Sequence, residues 1–171
     1  LAKTMVPDDA PGVTGTIGLL GTEPSDRMMR HCDTLLMVGT SFPYAEFLPA
    51  SDQARAVQID LDAANLGLRY PTEVNLHGDA GATLEALLER ITPKTDRAWR
   101  RDLEEQIDDW WDTVAARANT EADPLNPQKI FWELSPRLPD GALLAADVGT
   151  ATDWYARFLK VTGNVQGSTS G

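Results

Sequence analysis

The chain has 171 residues, of which 42% are hydrophobic, enough for a folded core and too many for wholesale disorder. Its formal net charge of −11 disfavours a nucleic-acid partner, which needs clustered Lys and Arg, and also an electrostatic hold on an anionic membrane. The single cysteine, Cys32, excludes an internal disulfide and fits a reducing cytoplasm, and no apolar run approaches the roughly 20 residues that cross a bilayer.

The first half of the chain alternates short apolar runs with helical patterns. Continuous apolar runs bounded by Gly or Asp are typical of central parallel strands, and leucines at helical spacing are typical of a packed helix. The pattern predicts a loop over 1–23, a helix over about 24–31, strands at 34–38, 54–59 and 74–76, and a helix over about 80–91.

The second half opens with a long helix, expected over about 96–119, and a linker at 121–125. Asn126 and Pro127 then form a favourable helix start, with Asn as N-cap and Pro in the first turn. A strand at 142–146 leads through a glycine turn into a last helix, after which no further element is predicted. The predicted fold is α/β: a Rossmann-like parallel sheet with flanking helices, incomplete, followed by the first βα unit of a second α/β domain.

Four residues, Gly39, Asp60, Asp79 and Gly149, each lie at or just past the carboxyl end of a predicted strand. In open parallel sheets this edge is where ligands bind. Asp60 could accept hydrogen bonds from a ribose or an adenine amine. Alternatively, Asp60 and Asp62 only cap the helix that follows.

Three stretches have the small residues that let a ligand approach the backbone. In 14–21 the glycines are spaced by three and no strand precedes them, so this is not the dinucleotide fingerprint, and an ordinary loop is the alternative. In 39–44 the ring of Phe42 or Tyr44 could lie beside a flat cofactor or in the core. In 147–154 a strand, a glycine turn and a helix start would place backbone N–H groups around an anion.

No metal site and no catalytic residue are predicted within the chain. His31 and His77 are far apart and share no ligand spacing with Cys32, which is expected to be a small buried hydrophobe. The paired acids of the long helix, within 104–109, are expected to form its solvated face.

A resemblance is carried by four segments, which are 15–18, 38–44, 57–62 with 74–79, and 147–150 with its continuation 154–160. Together they resemble the thiamine-diphosphate-dependent enzymes of the pyruvate oxidase and acetolactate synthase group. The closest likeness is to the flavin-containing pyruvate:quinone oxidoreductases. The segments follow the family order across nearly the whole chain.

The resemblance implies a subunit of three α/β domains, with FAD in the central domain of some members and thiamine diphosphate held through Mg²⁺ by the third. Residues 1–91 would then be the later half of the central domain, 92–125 the connector helix and linker, and 126–171 the start of the diphosphate-binding domain. The implied flavin contacts are Thr16, Ile17, Gly18 and Leu19, and Gly39, Thr40, Ser41, Phe42 and Pro43. Asp60 is implied near the adenosine, and Val148, Gly149 and Thr150 are implied near the thiamine cofactor.

The resemblance further implies a longer parent protein, because the activating glutamate and the Gly-Asp-Gly…Asn motif for Mg²⁺ are not among these residues. We therefore expect the 171-residue chain alone to be inactive. The expected parent is a cytoplasmic homodimer or homotetramer that oxidatively decarboxylates pyruvate or a similar 2-oxo acid, with FAD as electron acceptor. The alternatives are an acetolactate synthase, a 2-oxo acid decarboxylase, or a non-catalytic nucleotide-binding scaffold. Synthase relatives have Gln-His where this chain has Thr150-Ala151.

Overall fold

The computed structural model describes residues 3–169, which divide into two compact units. We call residues 27–96 the three-stranded unit, and residues 3–26 with 97–169 the helical unit. The elements in chain order are α1 (Glu23–His31), β1 (Thr34–Val38), β2 (Arg55–Asp60), β3 (Val74–His77), α2 (Ala80–Leu88), α3 (Ala98–Ala118), α4 (Pro127–Leu134), β4 (Leu143–Ala146), α5 (Thr150–Phe158) and β5 (Gln166–Thr169). No helix among these residues is long and apolar enough to span a membrane.

The three-stranded unit is built on a parallel sheet in the order β1-β2-β3. Val38, Ile59 and Leu76 lie side by side in register near the carboxyl ends of the three strands. Because all three strands are parallel, the turns that follow them share one edge of the sheet. The predicted α/β fold with parallel strands and flanking helices is therefore confirmed.

One face of this sheet carries the hydrophobic core of the unit, formed by Leu35, Met37, Ala56 and Tyr70. The Tyr70 hydroxyl donates to the carbonyl oxygen of Ala50 at 2.7 Å, so this buried ring keeps its polar tip satisfied. The core thus packs against one face of the sheet, and loops follow the strands at their carboxyl edge.

The helical unit has two adjoining hydrophobic clusters. Its clusters are Trp110, Val114, Ala118 and Phe158, and Tyr155, Leu159, Val161 and Val165. Both clusters contain apolar side chains of α5, and the first also contains side chains of α3. The partly buried ring of Phe131 on α4 packs against both clusters. Burial of these rings and branched side chains stabilises the unit.

Strand β5 was not predicted, and it pairs in parallel with β4. Its sequence, Gln166-Gly167-Ser168-Thr169, is polar and contains glycine, so it has none of the apolar pattern that predicts a strand. Gly167 is required by close packing, because a Cβ there would overlap the Tyr155 hydroxyl oxygen. The strand therefore depends on tertiary contact, which local sequence does not encode.

Element ends also differ from the predicted ones. The strand predicted over 54–59 runs from Arg55 to Asp60, so Asp60 is the last residue of the strand and pairs with His77. The helix predicted to reach residue 91 ends at Leu88, and the long helix predicted over 96–119 runs from Ala98 to Ala118. The division into domains at 91/92 and 125/126 stays a prediction.

Candidate functional site

The turn after β1 is open to a ligand at Gly39. This residue has a left-handed φ of +58°, and no atom lies within 4 Å of the place where a Cβ would stand. Its N–H donates to the carbonyl oxygen of Ile59 at 2.9 Å, which continues the β1–β2 ladder by one bond. The Thr40 hydroxyl then accepts a bond from the Phe42 N–H at 3.3 Å and tightens the turn.

Gln58 joins the loops that follow β1 and β2. Its side chain is 1% exposed, and its amide nitrogen donates to the carbonyl oxygens of Thr40 (3.4 Å) and Asn65 (3.1 Å). Its amide oxygen accepts from the N–H of Gly67 at 2.9 Å. Sequence reasoning missed this residue, although a glutamine inside an apolar strand is the kind of signal that marks a buried polar anchor.

Asp60 shapes its own turn. One oxygen of its carboxylate, Oδ1, accepts from the N–H of Asp62 (2.9 Å) and from the side-chain amide of Asn65 (3.3 Å). Asp62 in turn caps the short 3₁₀ turn Ala63–Asn65 by accepting from Ala64 N–H at 2.9 Å. The structure thus supports the capping alternative for Oδ1. Within residues 3–169 the other oxygen, Oδ2, has no hydrogen-bond partner, so it can still accept from a ligand.

A row of three aromatic rings follows Thr40. Phe42 and Tyr44 meet edge to face with centroids 5.6 Å apart, and Tyr44 and Phe47 do so at 6.5 Å. Tyr44 is 49% exposed, so the core alternative is wrong for this ring. Phe42 is half-buried and belongs to none of the hydrophobic clusters among the described residues, so the row presents some aromatic surface beside the turn.

Two further residues stabilise the same sheet edge. His77 Nε2 lies 3.0 Å from the carbonyl oxygen of Leu61, which ties the turn after β2 to the end of β3. Asp79 caps helix α2 by accepting from Ala82 N–H at 2.9 Å. The carboxylate of Asp79 therefore has a structural role, and this role explains why an aspartate stands just after strand β3.

In the helical unit, residues 14–22 form a closed turn that we call the glycine loop. Gly15 and Gly18 have φ values of +103° and +89°. The loop is closed at its base because the Thr22 hydroxyl donates to the Thr14 carbonyl oxygen, and Ser25 Oγ donates to Thr14 Oγ1 at 2.8 Å. Thr22 and Ser25 are buried, so the loop rests on a polar base that is fully paired.

The backbone of the glycine loop is asymmetric in its hydrogen bonding. Five of the six carbonyl oxygens from residue 16 to residue 21 accept hydrogen bonds, those of Thr16, Gly18, Leu19, Leu20 and Gly21. By contrast, among residues 3–169 no acceptor is found for four backbone N–H groups, those of Ile17, Gly18, Leu19 and Leu20. A loop whose acceptors are occupied and whose donors are free presents net positive dipole and suits an anionic group such as a phosphate.

Arg157 fixes that loop from helix α5. Its Nε donates to the Gly21 carbonyl oxygen at 3.0 Å and its terminal nitrogen to that of Leu19 at 2.6 Å. Its remaining nitrogen lies 3.8 Å from the Asp153 carboxylate, one helical turn earlier. No local sequence pattern predicts this contact, because 136 and 138 residues separate the bonded groups.

The turn between β4 and α5 has the expected strand, glycine turn and helix start. Gly149 has φ +88° and ψ −158°, a conformation open essentially to glycine alone, and no atom lies within 4 Å of a Cβ there. Thr152 closes the first turn, since its hydroxyl donates to the Asp147 carbonyl oxygen at 2.7 Å. Val148 and Thr150 are exposed beside Gly149, so this turn is accessible.

Two ionisable side chains outside these turns are perturbed by burial. Burial raises the pKa of Tyr155, and the nearby carboxylate of Asp8 raises it further. Burial likewise raises the pKa of the Cys32 thiol, which disfavours the reactive thiolate. The side chain is half-buried, whereas the sequence predicts a buried one. Among the described residues no group of three or more His, Cys, Asp or Glu is placed to hold a metal ion.

The predicted site residues fall in both compact units. Within the three-stranded unit, Gln58 brings the turn at Thr40 together with the loop that Asp60 shapes. Within the helical unit, Arg157 joins the glycine loop to the helix that begins at Thr150. The three-stranded unit contains Gly39–Pro43 and Asp60, and the helical unit contains Thr16–Leu19 and Val148–Thr150.

Comparison with known proteins gives a family model and several relatives. Residues 1–87 match the model described as "Thiamine pyrophosphate enzyme, central domain". The Bacillus subtilis "Putative thiamine pyrophosphate-containing protein YdaP" is 39% identical over 163 residues, covering 95% of this chain and 28% of that protein.

Two relatives have named activities. The pyruvate oxidase of Lactiplantibacillus plantarum is 27% identical over 162 residues, covering 94% of this chain and 27% of the oxidase. The catabolic acetolactate synthase of Raoultella terrigena is 30% identical over 166 residues, covering 89% of this chain and 28% of the synthase. The chain thus spans less than a third of the length of these relatives.

Proposed function

We propose that this chain, which belongs to the thiamine pyrophosphate enzymes, is part of a longer enzyme that oxidatively decarboxylates pyruvate or a similar 2-oxo acid, with FAD as the electron acceptor. The family supports thiamine diphosphate, and FAD is proposed from the resemblance to flavin-containing members, with which the open turns described above are compatible. The pyruvate oxidase among its relatives supports the choice of substrate.

The glycine loop carries the flavin part of the proposal. Its four free N–H groups, from Ile17 to Leu20, suit the diphosphate of FAD, and its glycines keep side chains out of the way. In the three-stranded unit, the open position at Gly39 and the turn Thr40–Pro43 suit a ligand that lies against the backbone. The free oxygen of Asp60 is a suitable acceptor for a ribose hydroxyl or the adenine amine.

The turn at Val148, Gly149 and Thr150 fits the thiamine part of the proposal. The start of α5 directs backbone N–H groups outward with the positive end of the helix dipole, and Gly149 leaves open space beside them. These residues would bind and orient the cofactor by backbone contact. We propose that Mg²⁺ is bound outside these residues, because the Gly-Asp-Gly…Asn motif that the resemblance implies for it is not among them.

When bound, thiamine diphosphate supplies the electron sink that a 2-oxo acid needs to lose CO₂, and FAD takes up the electron pair. The residues of this chain bind and orient the two cofactors and exclude water from them, and none is assigned a proton transfer. We propose a homodimer or homotetramer for the parent and expect the isolated chain to be inactive.

A non-oxidative synthase is the second candidate, because the acetolactate synthase of Raoultella terrigena is also similar to this chain. Thr150-Ala151 stands where the resemblance to synthases calls for Gln-His, which favours the oxidase. A flavin that binds but is not reduced by substrate would favour the synthase. A nucleotide-binding scaffold would bind the flavin and release no CO₂ from any 2-oxo acid.

The flavin proposal is tested by titrating the full-length, cofactor-free protein with FAD. Gly18→Ala puts a side chain at φ +89° in the middle of the free N–H groups and is expected to weaken FAD binding by roughly tenfold or more. The matched control is Gly12→Ala, which has a similar φ of +78°, open space around it and a position outside the loop. Equal affinities of the two variants, or no FAD binding by the unaltered protein, would contradict the proposal.

A further inference from the structure

Arg157 is the one side chain in the described residues that binds two carbonyl oxygens of the glycine loop, at Leu19 and Gly21. Its guanidinium fork matches the spacing of these two acceptors, so a single side chain immobilises both sides of residue 20. Leu19 is 72% exposed and makes little packing of its own, so the hydrogen bonds are what fix this part of the loop.

The contact also gives the loop its polarity. Leu19 and Gly21 would present their carbonyl oxygens to solvent or to a ligand if Arg157 did not bind them. An exposed carbonyl oxygen repels a phosphate, whereas a bound one leaves the neighbouring N–H groups to dominate. Arg157 therefore acts on a ligand through the loop and without touching it.

We propose that Arg157 is a positioning residue that holds the glycine loop in its anion-binding conformation and ties that conformation to helix α5. This inference rests on the proposed function, because it concerns the same cofactor-binding loop. Helix α5 begins at Thr150, next to the turn assigned to thiamine diphosphate. One arginine thus mechanically links two cofactor-binding segments that are distant in the sequence.

The loop itself can be tested without any cofactor, by hydrogen exchange of the full-length protein. The Gly21 and Thr22 N–H groups are bonded to the carbonyl oxygens of Gly18 and Thr16 at 2.7 and 3.0 Å. Arg157→Met keeps the apolar stem and removes both bonds, so exchange at these two amides is expected to accelerate at least about tenfold. Arg100→Met is the matched control, since Arg100 makes only an exposed pair with Glu104 within α3.

The effect on ligand binding is tested by FAD titration and by chemical rescue. Arg157→Ala is expected to weaken FAD binding on the order of tenfold or more, as loss of charge-assisted bonds predicts. Because the Arg157 side chain is 33% exposed, millimolar guanidinium ion can reach the vacated position and restore part of the affinity. Asp153→Asn, which removes only the 3.8 Å pair, is expected to bind FAD normally.

The outcomes separate this inference from the proposed function. If the unaltered protein does not bind FAD, the flavin proposal fails, and the role of Arg157 is then decided by hydrogen exchange alone. Unchanged exchange at Gly21 and Thr22 in Arg157→Met overturns the inference. So does faster exchange with unchanged FAD affinity, or lost affinity that guanidinium does not restore at all.

Discussion

Asp8 and Val161 exchange two hydrogen bonds of 2.7 Å across a sequence separation of 153 residues. The Asp8 N–H donates to the Val161 carbonyl oxygen, and the Asp8 carboxylate accepts from the Val161 N–H. The same carboxylate oxygen pairs with Lys3 at 2.9 Å, and both charged side chains are at most 5% exposed. This pairing fastens the N-terminal segment to the strand-forming end of the helical unit.

The first prediction concerns this buried ion pair. Asp8→Asn keeps an acceptor for Val161 but leaves the Lys3 ammonium buried without a counter-charge. We expect it to lower the free energy of unfolding by about 3–5 kcal/mol in urea denaturation. The double variant Lys3→Met with Asp8→Asn removes the stranded charge and should be more stable than Asp8→Asn alone; a less stable double variant would show that the charge is not the cause.

The second prediction concerns the contact between Gly167 and Tyr155. Gly167→Ala places a methyl group where it overlaps the Tyr155 hydroxyl oxygen and is expected to cost about 1–3 kcal/mol of stability through overpacking. Tyr155→Phe removes that oxygen, leaving the nearest ring atom at 3.2 Å. In a double-mutant cycle measured by denaturation, Tyr155→Phe should therefore relieve part of the cost, and purely additive effects would contradict the contact.

The third prediction concerns Gln58. Gln58→Leu removes three hydrogen bonds, those to the carbonyl oxygens of Thr40 and Asn65 and that from the Gly67 N–H, each worth about 0.5–1.5 kcal/mol net. We expect a clear loss of stability and faster hydrogen exchange at Gly67. Asn75→Leu is the control, because Asn75 on β3 lies opposite Gln58 on β2 in the strand pairing but is exposed. Equal effects of the two substitutions would rule out an anchoring role for Gln58.

The fourth prediction is the pH dependence of Cys32. Burial raises its pKa, so at neutral pH the thiolate fraction is smaller than that of a free cysteine. Alkylation by iodoacetamide should be slower than that of glutathione at the same pH, and its rate should rise with pH and level off at a higher pH than the rate for glutathione does, because the rate follows the thiolate fraction. Because the neutral thiol is favoured by folding, stability from this group is lost as pH rises through the raised pKa. Alkylation faster than that of glutathione at pH 7 would contradict this account.

Much of the fold could be predicted from local pattern. The apolar runs around Leu36, Val57 and Leu76 mark the parallel strands, and the Asn126-Pro127 pair marks the start of α4, where Asn126 accepts from Gln128 N–H at 3.1 Å. These features depend on neighbours in the sequence. Strand β5 does not, because its residues are polar and become a strand only by pairing with β4.

The candidate site was predictable as a set of turns but not as a hydrogen-bonded arrangement. Gly39 and Gly149 follow their strands with positive φ, as glycine turns at strand ends suggest. Whether Asp60 caps a turn or meets a ligand depends on which of its oxygens is already bonded, and that is a property of three-dimensional structure. The role of Arg157 could not be predicted for the same reason, because the carbonyl groups that it binds lie more than 130 residues away in the sequence.

In the proposed function, a bound flavin receives electrons from a 2-oxo acid. The most direct measurement is the visible absorption spectrum of the full-length protein, loaded with FAD, thiamine diphosphate and Mg²⁺ under anaerobic conditions, before and after addition of pyruvate. The account predicts that the oxidised flavin bands bleach and return when oxygen or a quinone is admitted. Flavin bands that stay unchanged with pyruvate, in protein shown to bind both cofactors, would contradict it.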